Sequence, residues 1–235
     1  QAPARQASFA AGLDETVPAT TLNKMCGSGM KAAMIGFDQI KLGHSQILAV
    51  GGMESMSNAP YLLPKMRSGA RLGHGKVVDH MFLDGLEDAY EPGRLMGTFA
   101  EDCAEKYQFT REAQDDYALT SLENSLSAQK VGAFENEIRT IEVTDRKGAK
   151  SLVLLDEQPQ NARPDKIPYL KPAFRKNGTV TPANSSSISD GAAALILASK
   201  SYSENEGLPI RARILGHSSY AHAPGLFTTA PVYAA

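Results

Sequence analysis

The segment with the clearest chemical signature is residues 23–29, which read Asn-Lys-Met-Cys-Gly-Ser-Gly. Cys26 follows a run that favours extended backbone, and Gly27 and Gly29 precede a stretch with helical spacing. A cysteine at the start of a helix lies where free backbone N–H groups and the positive end of the helix dipole converge. That environment favours the thiolate, which is the nucleophilic form of the side chain. The spacing therefore predicts nucleophilic catalysis by Cys26.

The two glycines beside Cys26 have a chemical and a structural interpretation. Glycine lets a substrate carbonyl approach the backbone closely, and successive N–H groups there could stabilise an oxyanion. A tight turn between a strand and a helix also carries glycines for packing alone. The sequence leaves both interpretations open for Gly27 and Gly29. The other cysteine, Cys103, lacks such neighbours and is predicted to be a buried small hydrophobic residue.

An α/β unit over residues 17–50 must position the cysteine. Apolar residues at helical spacing predict one helix face, formed by Met30, Ala33, Met34, Phe37 and Ile40. The helix is predicted to end near Gly43, and a strand is predicted over residues 46–50, ending on Gly51 and Gly52.

The rest of the chain is predicted to contain two irregular segments, with helices and strands between and after them. Proline and glycine mark these irregular segments, at residues 58–92 and 159–172. Helices are predicted over residues 97–106 and from an N-cap at Thr110 to about Lys130, closed by Gly132. Strand-like stretches are residues 20–22, 138–143, 151–155, 191–198 and 210–214, of which 191–198 is apolar enough for burial on both faces. This layout predicts one α/β layer interrupted by an insertion.

Composition limits the classes of partner. The net charge of −2 comes from interspersed charges, which argues against nucleic acid as a partner. The longest apolar run, residues 192–198, is far shorter than the roughly 18 residues that span a bilayer, so no membrane partner is expected. The two cysteines form no cluster with histidine, so no metal is expected. The chain begins with Gln1, and no signal peptide is expected.

Several separated motifs resemble those of the thiolase family. Residues 23–31 are similar to the motif around the acyl-accepting cysteine of thiolases, and residues 51–57, Gly-Gly-Met-Glu-Ser-Met-Ser, are similar to the motif that follows it. The remaining motifs recur in the family's order, at residues 84–86, 96–101, 178–184 and 190–194. The resemblance implies a thiolase-like layered α-β-α-β-α fold, here partial, with an inserted loop domain.

The resemblance implies an enzyme that runs a reversible Claisen condensation in two half-reactions. A cysteine takes an acyl group from an acyl-CoA, and deprotonated acetyl-CoA then attacks that thioester, which is covalent catalysis. The expected substrates are acetyl-CoA and 3-ketoacyl-CoA, with no permanently bound cofactor. Acetyl-CoA C-acetyltransferase activity is the first expectation, and a longer-chain 3-ketoacyl-CoA thiolase is the alternative.

Residue by residue, the resemblance makes Cys26 the nucleophile. It places other residues at CoA or acyl contacts, with core packing as the alternative for each apolar one. Leu86 and Met96 would flank the pantetheine and acyl groups, Phe174 and Ser186 would meet CoA, Arg163 would meet the nucleotide phosphates, and Phe227 would line the acyl pocket.

Other family features are missing from these residues. The family's base histidine lies in Gly-His-Pro, but none of the five histidines here is followed by proline, and all are predicted to be surface or packing residues. The family's second cysteine lies in Cys-x-Gly-Gly-Gly, whereas Cys103 is followed by Ala-Glu. Leu95 stands where many thiolases have histidine, so chain-length preference does not transfer. The chain is thus expected to be an internal segment that is inactive alone.

The resemblance also predicts the domain organisation. The expected parts are residues 1–57, an N-terminal domain with the nucleophile; 58–188, a loop domain; 189–200, a returning strand; and 201–235, the start of a C-terminal domain. Family members make tetramer contacts through the basic loop at residues 65–76, for which a solvated surface loop is the alternative. A homo-oligomer, a dimer of dimers, is expected in the cytoplasm, and an organellar location stays open.

Two alternatives from other functional classes accompany the thiolase prediction. A non-catalytic acyl-CoA-binding homologue would keep the pocket without the base. A β-ketoacyl carrier-protein synthase would share the fold and a nucleophilic cysteine but would accept its acyl group from carrier protein. The motif at residues 51–57 and the loop-domain motifs favour a thiolase.

Overall fold

The computed structural model describes residues 1–235 and divides into two compact units. The first comprises Gln1–Leu86 and Ile188–Ser219, and the second comprises Glu87–Ser187 and Tyr220–Ala235. The domain boundaries at residues 57, 188 and 200 rest on the family resemblance, and they stay predictions.

Helices of 5–20 residues and strands of 2–9 residues follow one another along the chain. The helices are α1 (Pro3–Ala10), α2 (Ser28–Lys41), α3 (Met96–Tyr107), α4 (Arg111–Lys130), α5 (Glu157–Asn161), α6 (Lys200–Asn205) and α7 (Ala230–Ala234). The strands are β1 (Ile47–Ser55), β2 (Tyr61–Leu62), β3 (Val78–Asp79), β4 (Ile141–Thr144), β5 (Lys150–Val153) and β6 (Asp190–Ala198). None of the helices combines the length and the apolar character that crossing a membrane requires.

The first unit is built around one pair of strands and one helix. β1 and β6 are antiparallel over their whole length, from the pair Ile47–Ala198 to the pair Ser55–Asp190. Helix α2 packs on this pair at Gly36, where a Cβ atom would lie 3.0 Å from side-chain atoms of both Val50 and Leu197. The glycine therefore lets the helix axis approach the sheet closely.

The predicted elements around the cysteine are confirmed, with longer bounds. Helix α2 ends at Lys41, and Gly43 adopts the predicted left-handed conformation, at φ +77°. Strand β1 continues through the glycine pair to Ser55, because β6 runs beside it as far as Asp190. Residues 20–22 form no strand, and the nearest pairing is an isolated bridge between Lys24 and Cys26.

The prediction that residues 191–198 are buried on both faces is wrong. Leu195 and Ile196 in β6 are 58% and 64% exposed, and Met53 in β1 is 55% exposed. The physical reason is that β6 has one neighbouring strand and that α2 covers only part of one face. Residues 210–214 also form no strand, since no neighbouring strand bonds to them.

The second unit holds the buried core, which comprises Phe99, Ala104, Ile167 and Val180. Helices α3 and α4 lie where the sequence predicts them, and the Thr110 hydroxyl caps α4 by accepting the Ala113 N–H at 3.1 Å. Strands β4 and β5 form an antiparallel hairpin that is shorter than the predicted strands. The predicted irregular stretches contain only two-residue strands and short helical turns, namely Phe82–Leu86 and Pro164–Tyr169 besides α5.

Candidate active site

Local hydrogen bonds shape the turn that carries Cys26. The Met25 N–H donates to Asn23 Oδ1 at 2.8 Å. The Ser28 hydroxyl accepts the Lys24 N–H at 2.9 Å and donates to the Met25 carbonyl at 2.8 Å. Ser28, the first residue of α2, thus ties residues 24 and 25 to the start of the helix, and Cys26 lies within this turn.

Cys26 is a free thiol on the surface of its unit. It immediately precedes Gly27, the N-cap of α2, so the helix dipole favours negative charge at this position. Met25 adopts φ +50°, a left-handed conformation that costs a non-glycine residue about 1–2 kcal/mol. Strained backbone of this kind clusters at functional sites. Exposure, the helix start and the strained neighbour together mark Cys26 as a candidate nucleophile.

The structure gives the neighbouring glycines mainly structural roles. The Gly27 N–H bonds to the Lys24 carbonyl at 3.0 Å, and the Ser28 N–H bonds to the Met25 carbonyl at 3.3 Å. These two amides are therefore engaged inside the turn instead of standing ready for an oxyanion. At Gly29 a Cβ atom would lie 3.3 Å from the backbone nitrogen of Gly52, so Gly29 allows the helix start to approach β1.

The other predicted site residues are distributed over both units. Leu86, in the first unit with Cys26, is half-buried at the end of the helical turn Phe82–Leu86. In the second unit, Met96 is the half-buried first residue of α3, and Arg163 is exposed before the turn Pro164–Tyr169. The contacts of these residues with CoA stay predictions.

Phe174, Ser186 and Phe227 also lie in the second unit. Phe174 is half-buried and Ser186 is exposed. Phe227 is 43% exposed and packs edge-to-face on the ring of Phe99, with 5.8 Å between the ring centroids. Phe227 therefore presents part of its ring to solvent, as a pocket-lining residue would.

Phe174 lies tightly against the first turn of α3. A Cβ atom at Gly97 would lie 2.4 Å from the Phe174 ring, so only glycine fits there. The next residue, Arg175, forms ion pairs with Asp102 and Glu105 of the same helix. The hydrogen bond with Asp102 raises the pKa of Arg175 above its usual range. These contacts fix the backbone on the C-terminal side of Phe174.

Sequence reasoning assigned no role to a set of buried polar residues beside Phe174 and Ser186. Glu101 is 3% exposed, and its carboxylate accepts the Thr179 N–H at 2.9 Å and the Val180 N–H at 2.9 Å. The sequence feature that could have indicated Glu101 is its spacing from Gly97, because residues four apart lie on one face of α3.

A second buried acid extends this network. Asp115 is 5% exposed and accepts from Arg111 Nε at 2.6 Å and from Asn184 Nδ2 at 3.0 Å. Arg111 in turn donates to the carbonyl oxygens of Ile167 and Leu170, at 2.8 and 3.0 Å. Buried charges are tolerated when they are paired and hydrogen-bonded in this way.

Comparison with known protein families identifies the class of this chain. The family model "Thiolase, N-terminal domain" matches residues 1–201, and the chain belongs to this family. The predicted family is therefore confirmed.

Individual relatives and a solved structure give the same result. The chain is 49% identical over 236 residues to acetyl-CoA acetyltransferase 2 of Arabidopsis thaliana and 48% identical over 234 residues to a probable acetyl-CoA acetyltransferase of Dictyostelium discoideum. These matches cover 100% of this chain but 58% and 56% of those relatives. The Acat5 thiolase of Ascaris suum, solved in complex with coenzyme A, has a TM-score of 0.90 at 38% identity. That match covers 100% of this chain and 59% of the Ascaris chain, and it confirms the thiolase-like fold.

Proposed function

We propose that the protein containing this chain is an acyl-CoA:acetyl-CoA C-acyltransferase with Cys26 as its nucleophile. The observation that carries the proposal is the free, exposed Cys26 immediately before the N-cap of α2, after a strained Met25. The identity of 49% to an acetyl-CoA acetyltransferase supports acetyl-CoA as the acyl donor.

In the first half-reaction the Cys26 thiolate attacks the carbonyl carbon of acetyl-CoA. A bond from the Cys26 sulfur to that carbon forms, the bond from the carbon to the CoA sulfur breaks, and CoA leaves as a thiolate. The product is acetyl-Cys26 and free CoA. Cys26 stands immediately before the N-cap of α2, at the positive end of the helix dipole.

In the second half-reaction a further acetyl-CoA loses a methyl proton to a base, and its carbanion attacks the acetyl-Cys26 carbonyl. A carbon–carbon bond forms, the bond to the Cys26 sulfur breaks, and acetoacetyl-CoA leaves with the thiolate restored. The Gly-His-Pro and Cys-x-Gly-Gly-Gly motifs of the family's acid–base residues do not occur in these 235 residues. This chain therefore supplies Cys26, which is the nucleophile of the first step and the leaving group of the second.

The CoA contacts proposed within the second unit are Met96, Arg163, Phe174, Ser186 and Phe227. The contact of Leu86 is a separate proposal for the first unit. The partly exposed rings of Phe174 and Phe227 support the contacts in the second unit, since aromatic and apolar surfaces bind pantetheine and acyl groups. Arg163 is exposed, as a phosphate-binding arginine must be.

Steady-state thiolysis with the full-length gene product tests this proposal. Acetoacetyl-CoA and 3-ketodecanoyl-CoA are compared as substrates, each with CoA as the acyl acceptor. We expect turnover of acetoacetyl-CoA with the higher kcat/KM. A preference for the longer substrate would favour the degradative alternative, and tight CoA binding without turnover would favour the non-catalytic homologue.

We also propose a homo-oligomeric cytoplasmic enzyme of fatty acid metabolism. The loop at residues 65–76 supports an oligomer, because its side chains are exposed and four of them are Lys or Arg. Size-exclusion chromatography with light scattering tests the oligomeric state, and an active monomer would contradict a homo-oligomer.

A further inference from the structure

Glu101 is a buried acid to which the two half-reactions assign no role. It lies on α3 and is 3% exposed. Its Oε1 accepts the Val180 N–H at 2.9 Å, and its Oε2 accepts the Thr179 N–H at 2.9 Å and the Thr179 hydroxyl at 3.3 Å. A buried carboxylate needs such bonds, and bonds to a charged acceptor are stronger than neutral ones. All of these bonds reach one short segment, residues 179–180.

The backbone next to that segment is shaped to receive the carboxylate. A Cβ atom at Gly178 would lie 2.2 Å from Glu101 Oε1, so a side chain there would expel the carboxylate. Glycine therefore permits the close approach.

The same face of α3 also contacts the segment at Phe174. Gly97 and Glu101 are four residues apart and lie on one helix face, and the Phe174 ring packs against Gly97. The Ala173 N–H donates to the Val180 carbonyl at 2.9 Å, which joins the two ends of the turn. Helix α3 thus holds this turn at two points, and Phe174 projects from it.

The segment continues through a second turn to Ser186. The Thr181 N–H donates to Asn184 Oδ1 at 2.7 Å, and the Ser185 hydroxyl donates to the Thr181 carbonyl at 2.7 Å. Thr181 is fully buried. Hydrogen bonds therefore run from Ala173 to Ser185 within residues 173–186, which we call the cradle segment, and Glu101 binds its residues 179–180.

We infer that Glu101 is a positioning residue for CoA binding: its carboxylate fixes residues 179–180 and, through them, Phe174 and Ser186. The inference rests on the proposed function, because it uses the proposed contacts of Phe174 and Ser186 with CoA. Glu101 touches neither CoA nor the reacting atoms in this account. Its effect is therefore on CoA affinity, while the reactivity of Cys26 is independent of it.

Glutamate is required chemically as well as sterically. The two backbone N–H groups and the Thr179 hydroxyl converge on its two carboxylate oxygens. Glutamine offers one acceptor oxygen, and its NH₂ group would face one of these donors. The Thr179 N–H would then lose its 2.9 Å acceptor and keep only the longer contact, which it makes with Oε1 at 3.1 Å, and both remaining bonds would lose their charged acceptor.

The experiment measures CoA binding by calorimetry and thiolysis kinetics on the full-length gene product. For Glu101→Gln we expect the Kd and KM for CoA to rise about tenfold, the effect of losing one bond to a charged group. We expect kcat and the rate of Cys26 alkylation by iodoacetamide to stay unchanged, because that small reagent does not use the cradle segment. Glu123→Gln, at an exposed position of α4, is the matched control and should behave like the wild type.

A second variant covers the case in which Glu101→Gln does not fold. Glu101→Asp keeps the charge but withdraws the carboxylate by one methylene, and we expect it also to weaken CoA binding. Wild-type CoA affinity in a folded Glu101 variant would overturn the inference, as would a fall in kcat or in alkylation rate with KM unchanged. Failure of the proposed function looks different, because the wild-type protein itself would then show no acyl transfer.

Discussion

The turn that carries the nucleophile and the cradle segment are stabilised in different ways. Residues 23–28 use hydrogen bonds between neighbours at most four positions apart, and Cys26 at their centre is exposed. Residues 173–186 depend on bonds that span 69 to 79 positions, from the buried acids Asp115 and Glu101. One region is a local surface turn, and the other is tied into the core of its unit.

Because of this difference, we expect substitutions in one region to affect catalysis and substitutions in the other to affect the free energy of unfolding. A group on a local surface turn can be removed at little cost to folding, since exposed side chains contribute little to stability. A group in a buried network cannot, since its partners would lose their hydrogen bonds inside the core. Substitutions in the two regions should therefore affect different measurements.

The largest effect is expected from Cys26→Ala, which removes the nucleophile. We expect kcat to fall on the order of 10⁶-fold, as is typical when a nucleophile is deleted. The midpoint of urea unfolding should stay at the wild-type value, because Cys26 is exposed. Cys103→Ala is the control, and it should keep activity. A large loss of stability in Cys26→Ala would contradict the comparison.

Asp115→Ala should be the most destabilising change among the residues that contact the cradle segment. It leaves Arg111 and Asn184 without their buried acceptor, which costs about 3 kcal/mol of unfolding free energy. Urea denaturation measures the loss, with the exposed neighbour Asp116→Ala as the matched control. Equal stability of the two variants would show that the network is not what holds this region.

Gly52→Ala tests how the nucleophile turn is seated on β1. The new Cβ would lie 3.0 Å from the Cα of Gly29, and overpacking of this kind costs about 1–2 kcal/mol. Because Gly29 lies in the first turn of α2, we also expect a changed rate of Cys26 alkylation. Gly191→Ala on β6 is the matched control, since open space surrounds that position. Like behaviour of both variants would remove the packing role from Gly29.

Thr110→Ala should give the smallest effect. It removes the hydroxyl that caps α4, at a cost of about 1 kcal/mol. Thermal unfolding compares it with Ser127→Ala, an exposed position inside the same helix. CoA affinity should be unchanged in both, because the cap lies outside the Glu101 and Asp115 contacts. A weakened CoA affinity would show that the cradle segment depends on the whole of α4.

The sequence was sufficient for features that depend on local chemistry. Helix α2, the cap at Thr110 and the left-handed Gly43 follow from propensity and spacing, and the structure confirms them. The cysteine turn was predictable for the same reason, because its bonds lie within residues 23–28.

Features that depend on distant partners were not predictable in this way. The sequence around Glu101 is that of an ordinary exposed helix position. Its burial follows from contacts with residues 179–180, which are distant in the sequence. The apolar run in β6 indicated burial, but burial depends on what packs around the strand, and β6 has one neighbouring strand and a helix that covers only part of one face. The sequence left the role of Gly29 open between chemistry and packing. Its close approach to Gly52, which the sequence does not show, indicates packing.

The most direct test of the central claim is to locate an acetyl group on the protein. The full-length gene product is incubated with acetyl-CoA, quenched in acid, and digested for peptide mass spectrometry. We predict one acetyl group, on the sulfur of Cys26 in the peptide that contains it. In a parallel sample, CoA added before the quench should remove this acetyl group. An unmodified Cys26 peptide, or acetylation confined to other residues, would contradict the assignment of Cys26 as the acyl-accepting nucleophile.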